Sequence, residues 1–302
     1  MITSGSFAKD LYPGVRKWWG QAYDSYQTEY TELFETETTS RAYEEYVQFT
    51  GLGLAAVKRE GASVTYDDMR QGYVTRFVPV EYALGFVITR NAVNDGISGI
   101  VGKKRARYLA ESFRQTKETV AANVYNRAFN TSYTMPDGQP MCATGHVNYT
   151  GGTFANRPTT DADLSEAALE QACIDIAGYT NDRGLKIALM ANKLIIPYQL
   201  EFEAERILGS PYRVGTADND VNALRKLGKF PGGVVISHWF TDTDAWFIRT
   251  NMKNDGLVYF EREKIHFDMD NEFDTSNAKF KAEERYCFGI GDPRAIYGTQ
   301  GA

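Results

Sequence analysis

The side chains able to do chemistry are few and scattered. The 302-residue chain has three histidines, His146, His238 and His266, and three cysteines, Cys142, Cys173 and Cys287. Cys142 and His146 are the one close pair, and two ligands in a turn-rich loop fall short of the three or four that a zinc ion takes from a protein. No Gly-x-Ser-x-Gly elbow, His-Glu-x-x-His helix or Cys-x-x-Cys pair occurs in the sequence, so the familiar nucleophile and metal frameworks are missing. The run from Gly96 to Lys104 has glycines followed by lysine ahead of a helical pattern. Its outer glycines, Gly96 and Gly102, enclose five residues where a phosphate loop has four, and Lys104 stands where Ser or Thr would hold magnesium. That segment reads as a helix start with a basic first turn. Asp67-Asp68, Asp242 with Asp244, and Glu283-Glu284 fall in polar turns or on strand edges. Acid–base work requires burial that separates paired pKa values, and solvated carboxylates are the plainer reading. No catalytic, cofactor-binding or metal-binding residue is assigned.

Bulk composition narrows the class further. With 39 acidic and 33 basic side chains the net charge is −6, so no strong overall attraction to nucleic acid or anionic lipid is expected. The 43% hydrophobic content fills a substantial core. No run approaches the roughly 18 apolar residues of a membrane span, and Met1 to Asp10 lacks a signal-peptide core. An odd number of unpaired cysteines fits reduced thiols, and no membrane partner is expected.

The elements that must position any working surface follow from periodicity. Between Arg16 and Phe34, residues Trp19, Tyr23, Tyr26, Tyr30 and Leu33 are spaced by four, three, four and three, a single helical stripe. It packs either on the chain's own body or on a neighbouring subunit. Leu52 to Val57 and Tyr73 to Ile88 are rich in β-formers and flank a polar, glycine-punctuated stretch, which predicts a long hairpin. A lone hairpin is marginal in water, so this one needs another surface. Leu109, Phe113, Thr116, Val120 and Val124 then mark one face of a helix over 100–129, roughly 45 Å long. Its basic start, Lys103, Lys104, Arg105 and Arg107, is either an exposed helix face or a surface for DNA phosphates. Asp163 followed by Glu166 suggests a capping box for a helix to about Tyr179. Leu185 to Ile196 predicts a buried strand, with a helix from Pro197 to Gly209. Strands over Val234–Ser237, Ala245–Arg249, Leu257–Met269 and Phe280–Ile290 close the chain, the last two joined by the turn Asp270 to Thr275.

Taken in order, an aromatic arm, a long hairpin, a very long helix, an α/β middle and closing β structure resemble the Hong Kong 97-like fold of tailed-bacteriophage major capsid proteins. Locally, Glu60 to Asp67 with Gln71-Gly72-Tyr73 is similar to the tip of that family's hairpin, the E-loop. Tyr82 to Thr89 resembles its return, Ile195 to Leu200 the strand that enters a helix at a proline, and Asp244-Ala245-Trp246-Phe247 and Arg285 to Gly289 with Asp292-Pro293-Arg294 are similar to Mu-like head subunits. The likeness spans nearly the whole chain and rests on the order of the pieces. It implies an α+β fold with an N-terminal arm at 1–50, an E-loop hairpin at 51–90, a spine helix of the peripheral (P) domain at 91–134, an axial (A) domain at 135–255, and closing P-domain strands at 256–302.

By the same resemblance, the chain is expected to be a non-enzymatic shell subunit without cofactors, forming hexamers and pentamers of itself around double-stranded DNA in a virion assembled in the bacterial cytoplasm. Intersubunit contacts are expected from Lys58, Arg59, Glu60, Asp67, Asp68 and Arg70 of the E-loop. The arm would contribute Trp18, Trp19, Tyr23, Tyr26 and Tyr30, and the P-domain turn Asp270, Glu272 and Asp274. Lys103, Lys104, Arg105 and Arg107 would face packaged DNA through nonspecific contacts. No charged helical pre-sequence precedes the arm, so a separate scaffolding protein is an expected partner, along with a portal protein and a decoration protein. Some relatives join subunits by a Lys–Asn isopeptide; the resemblance does not locate those positions in this sequence, and cross-linking stays open. An encapsulin-type nanocompartment is the nearest rival, and a soluble α/β enzyme built on the middle third a remoter one.

Overall fold

The computed structural model describes residues 4–94, 98–213, 220–252, 256–272 and 277–302. It is organised around two four-stranded sheets bridged by one long helix. The chain begins with helix α1 (Ser4–Ser25) and the single turn α2 (Tyr30–Leu33), then β1 (Glu35–Thr38), β2 (Glu44–Phe49), β3 (Gln71–Phe77) and β4 (Val80–Ile88). Helices α3 (Arg90–Asn94) and α4 (Ser98–Asn126) follow, with α4 the spine at about 43 Å. The middle holds β5 (His146–Val147), β6 (Thr153–Phe154), α5 (Glu166–Ala177), β7 (Ala191–Pro197), α6 (Glu201–Gly209) and α7 (Ala223–Leu227). Strands β8 (Val234–Ser237), β9 (Trp246–Thr250), β10 (Leu257–Asn271), β11 (Ala278–Ile290) and β12 (Ile296–Thr299) complete it.

The first sheet has the order β1-β10-β11-β4, with β1 parallel to β10 and the other pairs antiparallel. Phe86 sits opposite Phe280 and stacks on it at 5.0 Å, and Tyr82 stacks on Tyr286 at 4.7 Å. Such cross-strand aromatic pairs fix register. The second sheet runs β12-β9-β7-β8, where β7 pairs parallel with β8 and antiparallel with β9. Strand β7 alternates its allegiance: Leu194 and Ile196 face helices α5, α6 and α7, while Ile195 faces the spine-side core with Tyr125 and Phe247. A strand covered on both faces needs apolar residues in both phases, and Leu194-Ile195-Ile196 supplies them.

Four sequence expectations shift. The E-loop's first strand is β2, not Leu52–Val57, which has no regular structure. Strand β4 also leaves the hairpin: Pro79 has no N–H to continue a ladder, and the aromatic residues beyond it pair with β11 instead. Helix α5 is capped by Ser165, whose hydroxyl accepts from the Ala168 N–H, while Asp163 accepts from Ala302 N. The buried strand starts at Ala191; Leu185 to Met190 lie outside it.

One polar junction lies inside this core. Helix α1 runs beside the spine, with Val15, Trp19 and Tyr23 packed on Ala106, Leu109, Ala110 and Phe113. At the next inward position of the spine stands Lys117, whose Nζ is 2.5 Å from Glu284 Oε2 of β11, both side chains buried. Tyr286 places its ring 4.9 Å from that ammonium, and the Tyr30 and Tyr259 rings lie beyond it. Lys117 also donates to the Tyr23 hydroxyl at 3.4 Å. The neighbouring Glu118 turns the other way and accepts from the backbone N–H groups of Glu29 (2.9 Å) and Tyr30 (3.0 Å), the start of α2. From there the segment ties into the second sheet: Glu29 to His238, Glu32 to Lys193 and Glu35 to Arg249.

Removing one partner of a buried ion pair strands the other, at a cost of about 3–5 kcal/mol. Glu284→Ala is therefore expected to lose about that much stability in denaturant titration, and Lys117→Met with Glu284→Leu to recover most of it. Burial also pushes the Glu118 carboxyl up to about 7, despite the two N–H groups it accepts. A carboxyl raised on folding supports the folded state fully below its unfolded value near 4.5 and loses that support as pH climbs through about 7. Glu284 is raised by burial as well. Unfolding free energy should fall across that window, and Glu118→Gln should remove much of the slope; an unchanged slope would contradict the assignment.

Candidate intersubunit interface

The β2–β3 hairpin stands on the first sheet through Phe77, which packs with Phe260 at 5.3 Å and Tyr46 at 5.1 Å. Gly289 makes room for it: a Cβ there would sit 2.6 Å from the Phe77 ring. Above β2 and β3 the chain makes a loop over residues 50–70. Its neck is closed by Thr50 N donating to Arg70 O (3.0 Å) and Arg70 N to Thr50 Oγ1 (3.1 Å). Higher up, Asp67 accepts from Gly53 N at 2.7 Å and forms a two-pronged ion pair with Arg183, which also donates to Asp68 O at 2.6 Å. The Arg183 guanidinium holds the Asp67 carboxyl down to about 2. Beyond this clip the loop carries Leu54, Val57 and Tyr66 at 82%, 96% and 92% exposure. Apolar side chains so fully exposed on one projection make it the candidate contact surface of the subunit.

The expected contact residues divide into three groups. Lys58, Arg59, Glu60, Asp68 and Arg70 are exposed on the loop, and none has a salt-bridge partner among the described residues. Asp67 forms its ion pair with Arg183 of its own chain and stays half-exposed. In the arm, Trp19 stacks on Tyr23 and Phe267, both at 5.3 Å, and Tyr30 packs on Tyr259 at 5.2 Å. Trp19, Tyr23 and Tyr30 therefore serve the subunit's own core, the first of the two readings of the stripe; Trp18 and Tyr26 remain half-buried. Glu272 pairs with Lys279 at 2.8 Å and Asp270 lies opposite Lys279 in the β10–β11 ladder. Asp274 lies outside the described residues.

Lys103, Lys104, Arg105 and Arg107 are all exposed along the first half of α4. Arg105 donates to Val87 O, and Arg107 lies 5.6 Å from the Tyr108 ring. Helix α1, which packs along α4, carries the further exposed cations Arg16 and Lys17. Gly96 and Ile97 of the glycine-lysine run fall outside the described residues.

The candidates for chemistry resolve into structural roles. His146 is buried, with Nδ1 2.6 Å from Asp137 Oδ2 and Nε2 3.1 Å from Asn156 Oδ1. Burial raises the Cys142 thiol far above its ordinary value. No group of three metal-ligating side chains comes together among the described residues. Asp242 accepts from Asp244 N and Ala245 N in a turn. Glu284, read as solvated, is instead fully buried. Its phase was available in the sequence, since Phe280, Ala282, Glu284 and Tyr286 share the inward face of β11. Arg183 carried no such signal.

Comparison with known proteins agrees with this geometry. A family model described as phage capsid protein matches residues 72–299. No curated protein matches in sequence. Among solved structures, the virus-like particle from Pyrococcus furiosus is similar with a TM-score of 0.53 and 11% identity, covering 94% of this chain and 97% of that one. The procapsid of bacteriophage JBD30 gives 0.52 and 14%, covering 99% and 76%. The capsid of an empty GTA particle gives 0.53 and 15%, covering 91% and 90%. At such identities the structural likeness concerns the fold, which is Hong Kong 97-like. With three quarters of its length matched by the family model, the chain belongs to the phage capsid protein family and is a major capsid subunit, built into a shell from many copies of itself.

Proposed function

We propose that the subunit forms hexamers and pentamers that close into an icosahedral head around double-stranded DNA, with its work spread over contact surface and no catalytic role. The observation that carries this reading is the E-loop: Leu54, Val57 and Tyr66 project beyond the Asp67–Arg183 clip with nothing among the described residues to cover them. In this reading the arm is 1–50, the first sheet and the spine helix make the P domain, the second sheet makes the A domain, and 50–70 reaches a neighbour. Trp18, Tyr26, Asp270, Glu272 and Asp274 take part in further copy-to-copy contacts. The exposed cations Lys103, Lys104, Arg105 and Arg107 face the packaged duplex and offset phosphate charge without reading sequence. Assembly takes place in the bacterial host cytoplasm with a separate scaffolding protein, and the finished head carries a portal and a decoration protein. An encapsulin-type compartment is disfavoured by the match to a phage capsid family.

Expression of the chain with its scaffolding protein, followed by negative-stain microscopy, is expected to give closed shells tens of nanometres across. Leu54→Asp with Tyr66→Asp should leave the melting temperature unchanged and abolish shells; a wild-type chain that stays monomeric would sink the reading. The clip makes a separate expectation. Arg183→Ala should speed proteolytic cleavage within 54–66 several-fold without a measurable loss of global stability, because an exposed ion pair contributes little. Equal cleavage rates in the two proteins would show that the clip does not fix the loop.

A further inference from the structure

Helices α5, α6 and α7 form one layer on the second sheet, and their inward residues Leu169, Ala172, Ile176, Ala204, Ile207 and Leu224 make a continuous core with Leu194, Ile196, Trp246 and Ile248. The outward side of this layer is unusual. Ile174, Phe202 and Leu227 are 64%, 72% and 67% exposed, one large apolar side chain from each helix. Phe202 precedes the buried Ala204 by two residues and Ile207 by five, about 200° and 140° around the helix, so it points away from the sheet. Ile174 stands two residues from both Ala172 and Ile176 and does the same on α5.

Charge on the layer is divided by element. Glu201 and Glu205 are exposed on α6 and have no cationic partner among the described residues; Glu203 is paired with Arg206 at 2.8 Å. On α7 and the turn after it, Lys226 and Lys229 are exposed and have no carboxylate partner among the described residues, while Arg225 donates to Gly209 O. The helix dipole favours an acid in the first turn of α6 and bases in the last turn of α7. It gives no reason for a solvent-facing phenylalanine between Glu201 and Glu203.

Resting on the shell reading, we propose that the outer face of α6, with Phe202 between Glu201 and Glu205, docks on α7 of a second copy, against Leu227, Lys226 and Lys229. Each copy then offers an acidic face to one neighbour and a basic face to the next. A head-to-tail contact of this kind propagates around a ring and closes where the rotation allows. An apolar knob ringed by complementary charge supplies affinity at the centre and selects the partner at the rim.

The test uses the full chain expressed with scaffolding protein, scored by sedimentation and microscopy for assembled particles and by thermal melting for folding. Glu201→Lys with Glu205→Lys should fold normally and lower the assembled fraction by at least about tenfold, because lysines would then face Lys226 and Lys229 across the contact and like charges repel. Adding Lys226→Glu and Lys229→Glu to that chain should restore assembly, since complementarity returns with the signs exchanged. Phe202→Ala should assemble poorly at any salt concentration. Normal assembly of the first variant, or failure of the four-fold variant to recover while folded, overturns the contact but leaves the shell reading intact. A wild-type chain that never assembles overturns both.

Discussion

The architecture depends on placing one ammonium and one carboxylate side by side out of water. Lys117 and Glu284 meet where the arm, the spine helix and the closing strands converge, and each is tolerable there only because the other is present. Tyrosines surround the pair with ring faces for the cation, while Trp19 and Phe267 carry the apolar packing onward toward the arm. A hydrophobic pair of the same volume would hold the helix to the sheet as well. What the ions add is a penalty on other registers: docking with residue 117 away from residue 284 would bury two unpaired charges. Glu118, one residue on, then sets where the arm turns into α2.

That arrangement explains why the arm's aromatic stripe is an internal feature while the E-loop is an external one. Within the stripe, Trp19, Tyr23 and Tyr30 find their partners on the spine and on β10. The loop is held near its base, by Phe77 against Gly289, by Thr50 with Arg70 and by Asp67 against Arg183, and Leu54, Val57 and Tyr66 beyond those points face solvent. A capsid subunit needs both kinds of surface. Its core must be saturated so that it folds before assembly, and its projections must be unsaturated so that assembly has something to gain.

Much of this was readable from residue order. The spine helix, the proline-initiated helix after β7 and the closing β10–β11 hairpin lie within a few residues of their expected positions, because long periodic runs announce themselves. The E-loop was recognisable as a polar excursion, yet its first strand was misplaced. Leu52 to Val57 has strand-forming composition and no partner strand, whereas Glu44 to Phe49 is more polar and lies opposite β3. Strand identity depends on what lies across, which composition does not encode. The ion pairs were harder still. Lys117–Glu284 and Asp67–Arg183 join residues more than a hundred positions apart, and nothing local distinguishes a buried charge from a solvated one except phase.

The short segment from Glu29 to Glu35 touches the spine through Glu118 and the second sheet through His238, Lys193 and Arg249, before entering the first sheet as β1. It therefore works as a strap across the joint between the two sheets. A subunit that must fit both flat and strongly curved regions of a closed surface has to flex somewhere. With the joint strapped by this segment, rotation of one sheet against the other is steered about it as a hinge. Adjustment to curvature would then appear as rotation at the strap and leave the core of each sheet unstrained.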